Sequence, residues 1–339
     1  MIKRENIILF CSANNDLTFI LAFIERNPEQ THHVFISGLK NCFHFGLSLN
    51  LPNTQFYYTE SKLDELRNPI KWIFEFFNLQ YIKIKYLRQF ENCQVYFFTI
   101  YYDSLVLSCV DYLRRRKNTI VLGISMDERP EKKGTDLLTL MKRLIYRVNF
   151  VNYNLGMYQN FIGLPDSYLN HNSIRTEFTE FIEVKNVWRK YSKTIEGYDK
   201  YILFIDADHD YAGMSQKSKN TAEILLQLLS TKNTFTKGHP RLGRTNFSKD
   251  YNFKELEGQF PLEFYNLSNC YAIIGFYSYS LVNLSNMGLP VISLLLMFHF
   301  ESSDARTLKI NYLKSSINNI YFPETLSELE SIIQNLNRL

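Results

Sequence analysis

The chain has 339 residues, and at about 150 residues per domain it is long enough for two domains that each bury a core. Its 38 basic and 34 acidic side chains leave a net charge of +4, 45% of residues are hydrophobic, and 13 Gly and 9 Pro fall below average usage; collagen-like, disordered and small stapled classes are excluded. The five cysteines, Cys11, Cys42, Cys93, Cys109 and Cys270, show no CxxC spacing and point to buried thiols in a reducing compartment, not to a disulfide framework or a structural zinc site.

Met1 to Asn6 leads directly into the apolar run Ile7 to Cys11, which is too short for a signal-peptide core and has no small-residue cleavage site, so secretion is not expected. β-rich runs at Val34 to Ser37, Phe56 to Thr59, Val95 to Thr99 and Ile120 to Ser125 alternate with helical patterns over Leu17 to Arg26, Lys62 to Phe90 with a break at Pro69, and Ser104 to Arg116. Strands alternating with helices imply parallel βαβ units. The basic run Arg114-Arg115-Arg116-Lys117 reads as a solvated helix end complementing the helix dipole, with contact to anionic lipid as the other reading. From Tyr153 to Ser192 apolar runs are few, which suggests a connection carrying one or two helices.

A second alternation follows: a strand at Tyr201 to Ile205, a helix at Gln216 to Leu229, a strand at Thr234 to Lys237 and a helix near Pro261 to Leu267. It continues with a strand at Ala272 to Gly275, a helix at Ser280 to Met287 and a strand at Val291 to Leu295. The longest apolar stretch, Leu289 to Phe300, holds Ser293 and His299 and falls short of the roughly 20 residues that cross a bilayer, so no transmembrane helix is expected. Thr325 to Leu339 closes the chain as an amphipathic helix with apolar positions Leu326, Leu329, Ile332, Ile333 and Leu336. The expected class is α/β, two Rossmann-like doubly wound domains facing a cleft, with residues 1–155 the first, 156–195 a connection, 196–322 the second and 323–339 the final helix. Open sheets of this kind bind ligands beyond the carboxyl ends of their strands. The segments expected there are Ser125 to Gly134, Asp206 to Gly213, Lys237 to Gly243 and Gly275 to Ser280.

The sharpest of them is Thr236-Lys237-Gly238-His239-Pro240-Arg241. Pro240 restricts His239 to an extended backbone at a strand end, a placement that suits a general acid, while Lys237 and Arg241 supply positive charge for an anionic ligand. The ordinary alternative is a surface histidine in a proline turn. Gly238 to Thr245 also resembles a phosphate-cradling P-loop, but Arg244 stands in place of the lysine, Pro240 lacks an N–H, and no amphipathic helix follows; a nucleotide triphosphatase is rejected. Asp206, Asp208 and Asp210 crowd three carboxylates just past an apolar strand, an arrangement that raises at least one pKa and suits a base, or a DxD that holds Mg²⁺, or a solvated loop. Gly275-Phe276-Tyr277-Ser278-Tyr279-Ser280 places a glycine at the end of a buried strand and two hydroxyls before a helix, where a phosphate can bind or a serine can simply cap. Glu263 sits just after Pro261, and Asp127-Glu128 follow the strand that ends at Ser125.

Together these elements resemble the bacterial sialyltransferases of two-domain GT-B architecture, closest to the lipooligosaccharide sialyltransferases of glycosyltransferase family 52, with the bacterial polysialyltransferases behind them. The resemblance runs over most of the chain from Asn6-Ile7-Ile8-Leu9-Phe10-Cys11 onward, and its most specific piece is the His-Pro element between Lys237 and Arg241. It implies His239 as general acid toward the departing nucleotide phosphate and Asp208 as general base, with Asp206 second. Lys237, Gly238, Pro240, Arg241, Glu263, Gly275, Ser278 and Ser280 would line the nucleotide side, in a C-terminal domain that holds CMP. Ser-Tyr-Ser stands where that family has adjacent serines, and Asp127-Glu128-Arg129 where it has acid-acid-Gly; these acids would belong to an acceptor-side N-terminal domain or be structural.

The implied activity is an inverting, metal-independent transfer of sialic acid from CMP-sialic acid to a glycan hydroxyl, with no cofactor and no nucleic-acid partner. The implied location is the cytoplasm or the cytoplasmic face of the inner membrane; peripheral membrane contact and a homodimer stay open. Two rivals stand beside it. One is a Mg-dependent haloacid dehalogenase-like phosphoryl transferase using Asp206 and Asp208. The other is a non-catalytic nucleotide-sugar or glycan-binding protein.

Overall fold

The computed structural model describes residues 6–61, 69–99, 104–124, 181–195, 197, 199–206, 216–238, 244–257, 260–299, 303–316 and 320–338. The chain divides into two units, residues 1–187 and 188–339.

In the first unit the apolar runs form strands because every peptide group of a buried parallel strand is paired and both faces of the sheet accept apolar side chains. β1 (Asn6–Cys11), β2 (Thr31–Ser37), β3 (Thr54–Thr59), β4 (Gln94–Thr99) and β5 (Thr119–Ile124) make one parallel sheet in the order β3-β2-β1-β4-β5. Helices α1 (Asn14–Arg26), α2 (Lys40–Ser48), α3 (Pro69–Ile82) and α4 (Ser104–Arg114) lie between them in the chain. Ile8, Phe10, Phe35, Val95 and Ile120 of the sheet pack with Leu79, Ile82, Val106, Val110 and Leu113 of α3 and α4.

Helix α2 was not among the expected elements; its Gly46 is there for space, since a Cβ would stand 2.6 Å from the Phe56 ring. Pro69, where the helical pattern was expected to be interrupted, is the first residue of α3, the position where its missing N–H leaves no bond unmade. The helix then continues through a π turn at Lys83–Leu87.

In the second unit, β7 (Tyr201–Asp206), β8 (Thr234–Gly238), β9 (Lys254–Glu255), β11 (Cys270–Gly275), β12 (Val291–Ser293) and β13 (Ile320–Tyr321) form a parallel sheet in the order β9-β8-β7-β11-β12-β13. A short parallel pair, β6 (Lys193–Thr194) with β10 (Tyr265–Asn266), lies outside it. Helix α5 (Phe181–Lys190) spans the boundary at residues 187 and 188; the described helices that follow are α6 (Gln216–Ser230), the single turn α7 (Asn246–Lys249), α8 (Tyr279–Asn286), α9 (Ser303–Ser316) and α10 (Leu326–Arg338). Leu329, Ile333 and Leu336 of α10 belong to the same core as Ile202, Phe204, Leu226 and Ile274, so the final helix is part of this unit. The helix expected near Pro261 is one 3-10 turn, Leu262–Phe264, that passes into β10. The strand expected to end at Leu295 stops at Ser293, whose hydroxyl is held by Phe276 O at 2.7 Å.

Counted along each unit, both sheets begin in the middle, run to one edge and then return to the other side of the first strand. This is the Rossmann order, and it opens a crevice at the carboxyl ends of β1 and β4 and again of β7 and β11. The fold class expected from the sequence, doubly wound α/β with parallel sheets, is the one observed.

Candidate active site

The crevice of the second unit is built first by β7. All six of its residues are buried, and it ends at Asp206, which is fully buried. Its carboxylate accepts from Thr245 N at 2.9 Å, from Thr245 Oγ1 at 3.0 Å and from the Ser248 hydroxyl. Thr245 is itself the cap of α7, its Oγ1 accepting from Ser248 N at 3.1 Å. A carboxylate can leave water at this depth because three donors replace its hydration. Asp206 was expected as a secondary base; it serves instead as the acceptor that holds residues 245–248 against the end of β7.

β8 lies beside β7 in parallel register, with Ile205 opposite Lys237 and Asp206 opposite Gly238. Lys237 is buried within the strand, and its ammonium donates to Glu257 O at 3.1 Å. Nearby, burial and then the Glu257 charge push the Tyr265 hydroxyl up to about 12, so it stays protonated near neutral pH.

On the other side of β7 stands β11. Gly275 ends it where a Cβ would lie 3.3 Å from Ile205 Cβ, so glycine is what lets the strand ends close up. Ser278 then caps α8, its hydroxyl accepting from Ser280 N at 3.2 Å. Ser280 is inside the first turn, and its hydroxyl donates to Glu263 Oε1 at 3.2 Å; Asn283 Nδ2 donates to the same oxygen at 2.8 Å. Glu263 is 2% exposed. The structure thus brings Glu263, Ser278 and Ser280 together at the amino end of α8, where N–H groups and the helix dipole favour an anion. Glu263 there is a buried clamp between the 3-10 turn and α8.

Asp208, His239, Pro240 and Arg241 lie outside the described residues, as do Asp127 and Glu128. In sequence, Asp208 follows Asp206 by two positions and His239 follows Gly238 by one.

Several residues of the site were not singled out from sequence. Thr245 carries a legible signal, a threonine at a helix start; Ser248 and Asn283 carry none, since a serine or an asparagine within a helix has no characteristic spacing. In the first unit the end of β1 holds a parallel device. Asp16 is 1% exposed and accepts from Ser12 N and Ala13 N, each at 2.9 Å. Burial, and then the Asp16 charge, hold the neighbouring Cys11 thiol well above its ordinary pKa. All five cysteines are buried. Among the described residues no group of three or more His, Cys, Asp or Glu side chains is placed to hold a metal ion, and no helix is long and apolar enough to cross a membrane.

A scan against protein-family models finds no match, and a search of curated proteins finds none either. Solved structures do match. One, from Listeria monocytogenes and assigned as a UDP-N-acetylglucosamine 2-epimerase, aligns with 100% of this chain and 89% of its own at 10% identity and a TM-score of 0.53. Another UDP-N-acetylglucosamine 2-epimerase aligns with 99% of this chain and 87% of its own at 7% identity and a TM-score of 0.52. These likenesses establish the fold as GT-B, two Rossmann-like units in one chain.

Proposed function

We propose that this chain is an inverting glycosyltransferase that moves sialic acid from CMP-sialic acid to a hydroxyl of a cell-surface glycan, a galactoside of lipooligosaccharide or capsule, without a metal or cofactor. The observation that carries the reading is the register of Asp206 opposite Gly238 on adjacent parallel strands. β7 and β8 thus end side by side at the edge where doubly wound folds bind ligands, and in sequence Asp208 follows Asp206 and His239 follows Gly238. The GT-B fold supports it, since the neighbours that share it are named for a nucleotide sugar.

In the proposed reaction Asp208 takes the proton from the acceptor hydroxyl as its oxygen bonds to the anomeric carbon. The bond from that carbon to the CMP phosphate breaks, its electron pair leaves with the phosphate, and His239 supplies a proton there. Lys237, Gly238, Pro240 and Arg241 with Gly275, Ser278 and Ser280 form the donor side, where the amino end of α8 offsets phosphate charge. Glu263 keeps that helix end in place, and Asp127 and Glu128 are assigned to the acceptor side. The phosphoryl-transfer rival requires Asp206 as an accessible nucleophile, and its full burial under three donors weighs against that.

Incubating purified protein with CMP-sialic acid and a panel of galactosides, with and without EDTA, tests the reading by product mass. The expected result is an acceptor heavier by one sialyl residue together with free CMP in both conditions. Sialylated product that disappears in EDTA overturns the metal independence. Breakdown of the donor without sialylated acceptor, abolished by EDTA, returns the phosphoryl-transfer reading, and CMP binding without product or CMP release returns the binding-protein reading.

A further inference from the structure

Helix α3 buries only part of itself. Leu79 and Ile82 face the core of the first unit, whereas Ile73, Phe74, Phe77, Tyr81 and Ile84 are between 54% and 70% exposed. Positions 73, 77, 81 and 84 follow one helical face, and the π turn keeps Ile84 on the outside while Leu87 packs inward. A contiguous stripe of large apolar and aromatic side chains on a protein surface marks a place where something else sits.

What sits there is set by the charge at the end of the stripe. Lys85 Nζ lies 5.0 Å from the Tyr81 ring and 4.9 Å from the Tyr86 ring. Arg88 follows, exposed, and its carbonyl accepts from Arg116 Nη2 at 2.8 Å. That bond ties the basic run that closes and follows α4, Arg114 to Lys117, to the residue just past the π turn. Asp111 pairs with Arg114 and Arg115, and Glu91 with Arg116, so the cations of this corner outnumber its carboxylates.

We propose that α3 docks this unit on a membrane surface containing anionic lipid, with the Phe74, Phe77 and Ile84 side chains entering the interface and the cations of Lys85, Arg88 and the α4 end meeting headgroups. Apolar and aromatic side chains beside a basic cluster are the two signals that together hold a peripheral protein on a bilayer. A second copy of the chain is the other occupant such a stripe could take, and the oligomeric state of the phenylalanine variant separates the two. The inference does not rest on the proposed reaction.

The test is flotation of the full chain with vesicles of phosphatidylcholine alone and of phosphatidylcholine with about a third phosphatidylglycerol. Capture by the anionic vesicles, weakening as salt is added, is expected. Phe74→Ser/Phe77→Ser, exposed positions at which a polar residue leaves the fold and its circular dichroism unchanged, is expected to lower capture by about tenfold or more. Lys85→Glu/Arg88→Glu is expected to remove the preference for anionic vesicles. Wild-type protein that stays unbound with both vesicles overturns the proposal, as do variants that float as well as wild type. So does a wild-type dimer that the phenylalanine variant converts to monomer with no vesicle capture by either.

Discussion

Ser280 and Glu263, on separate elements, are joined by a hydrogen bond of 3.2 Å, and Asn283 reaches the same carboxylate oxygen at 2.8 Å. The pairing joins the 3-10 turn to the amino end of α8. Glu263→Ala would leave the buried Asn283 amide without this acceptor and is expected to destabilise the protein by about 2–3 kcal/mol in urea unfolding. Its effect on catalysis should appear mainly in the KM for donor. Ser278→Ala, which removes the cap of the same helix, is expected to cost about 1 kcal/mol and also to raise donor KM.

Asp206 is a second buried anchor. Asp206→Ala strands the Thr245 N–H and two hydroxyls, and an unfolding experiment should find a loss of about 3 kcal/mol or more. Thr245→Val removes one of those donors and should cost about 1–2 kcal/mol. Equal and negligible losses from both would show that the carboxylate does not hold residues 245–248 in place.

For the reaction, His239→Ala and Asp208→Ala are each expected to lower turnover by about a hundredfold or more, the scale of acid–base catalysis. Rates within about threefold of wild type for both would refute the assigned roles. Changing Asp127 and Glu128 together is expected to raise acceptor KM while CMP affinity, read by calorimetry, stays unchanged.

Acid should weaken the first unit through its histidines. His32 is fully buried, and neither ring nitrogen has a hydrogen-bond partner; burial pushes its pKa from 6.5 down to about 4, and burial lowers that of His33 as well. The unfolded chain then binds protons that the folded one refuses, so the stability contributed by neutral His32 is complete above pH 6.5 and is lost as pH falls toward 4. The slope is at most about 1.4 kcal/mol per pH unit for each histidine. Urea unfolding of wild type and His32→Leu across that interval should show a shallower decline in the variant.

Much of this architecture was legible in the sequence, and the failures have physical causes. Buried parallel strands such as Ile7 to Cys11 and Tyr201 to Ile205 are unbroken apolar runs, so they stand out; edge strands of two residues, such as β9 and β13, carry no such run. Helix α9 escaped because Ile310 and Leu313, which belong to the core, stand among polar neighbours in sequence. At the site, Ser278 and Ser280 stand out in sequence as hydroxyls between a buried strand and a helix, whereas no spacing ties Glu263 to them, since their meeting depends on how the 3-10 turn packs on α8. The inward use of Asp206 is not legible either, because a carboxylate at a strand end looks the same in sequence whether it faces ligand or a neighbouring loop. Only the tertiary approach of Thr245, 39 positions away, decides it.

Gly238 is opposite Asp206 in the sheet and Thr245 is bonded to its carboxylate, so positions 238 and 245 are both anchored at the end of β7. The carboxylate thus works as a staple at the crevice edge: cutting it frees position 245, while position 238 stays held by the sheet ladder.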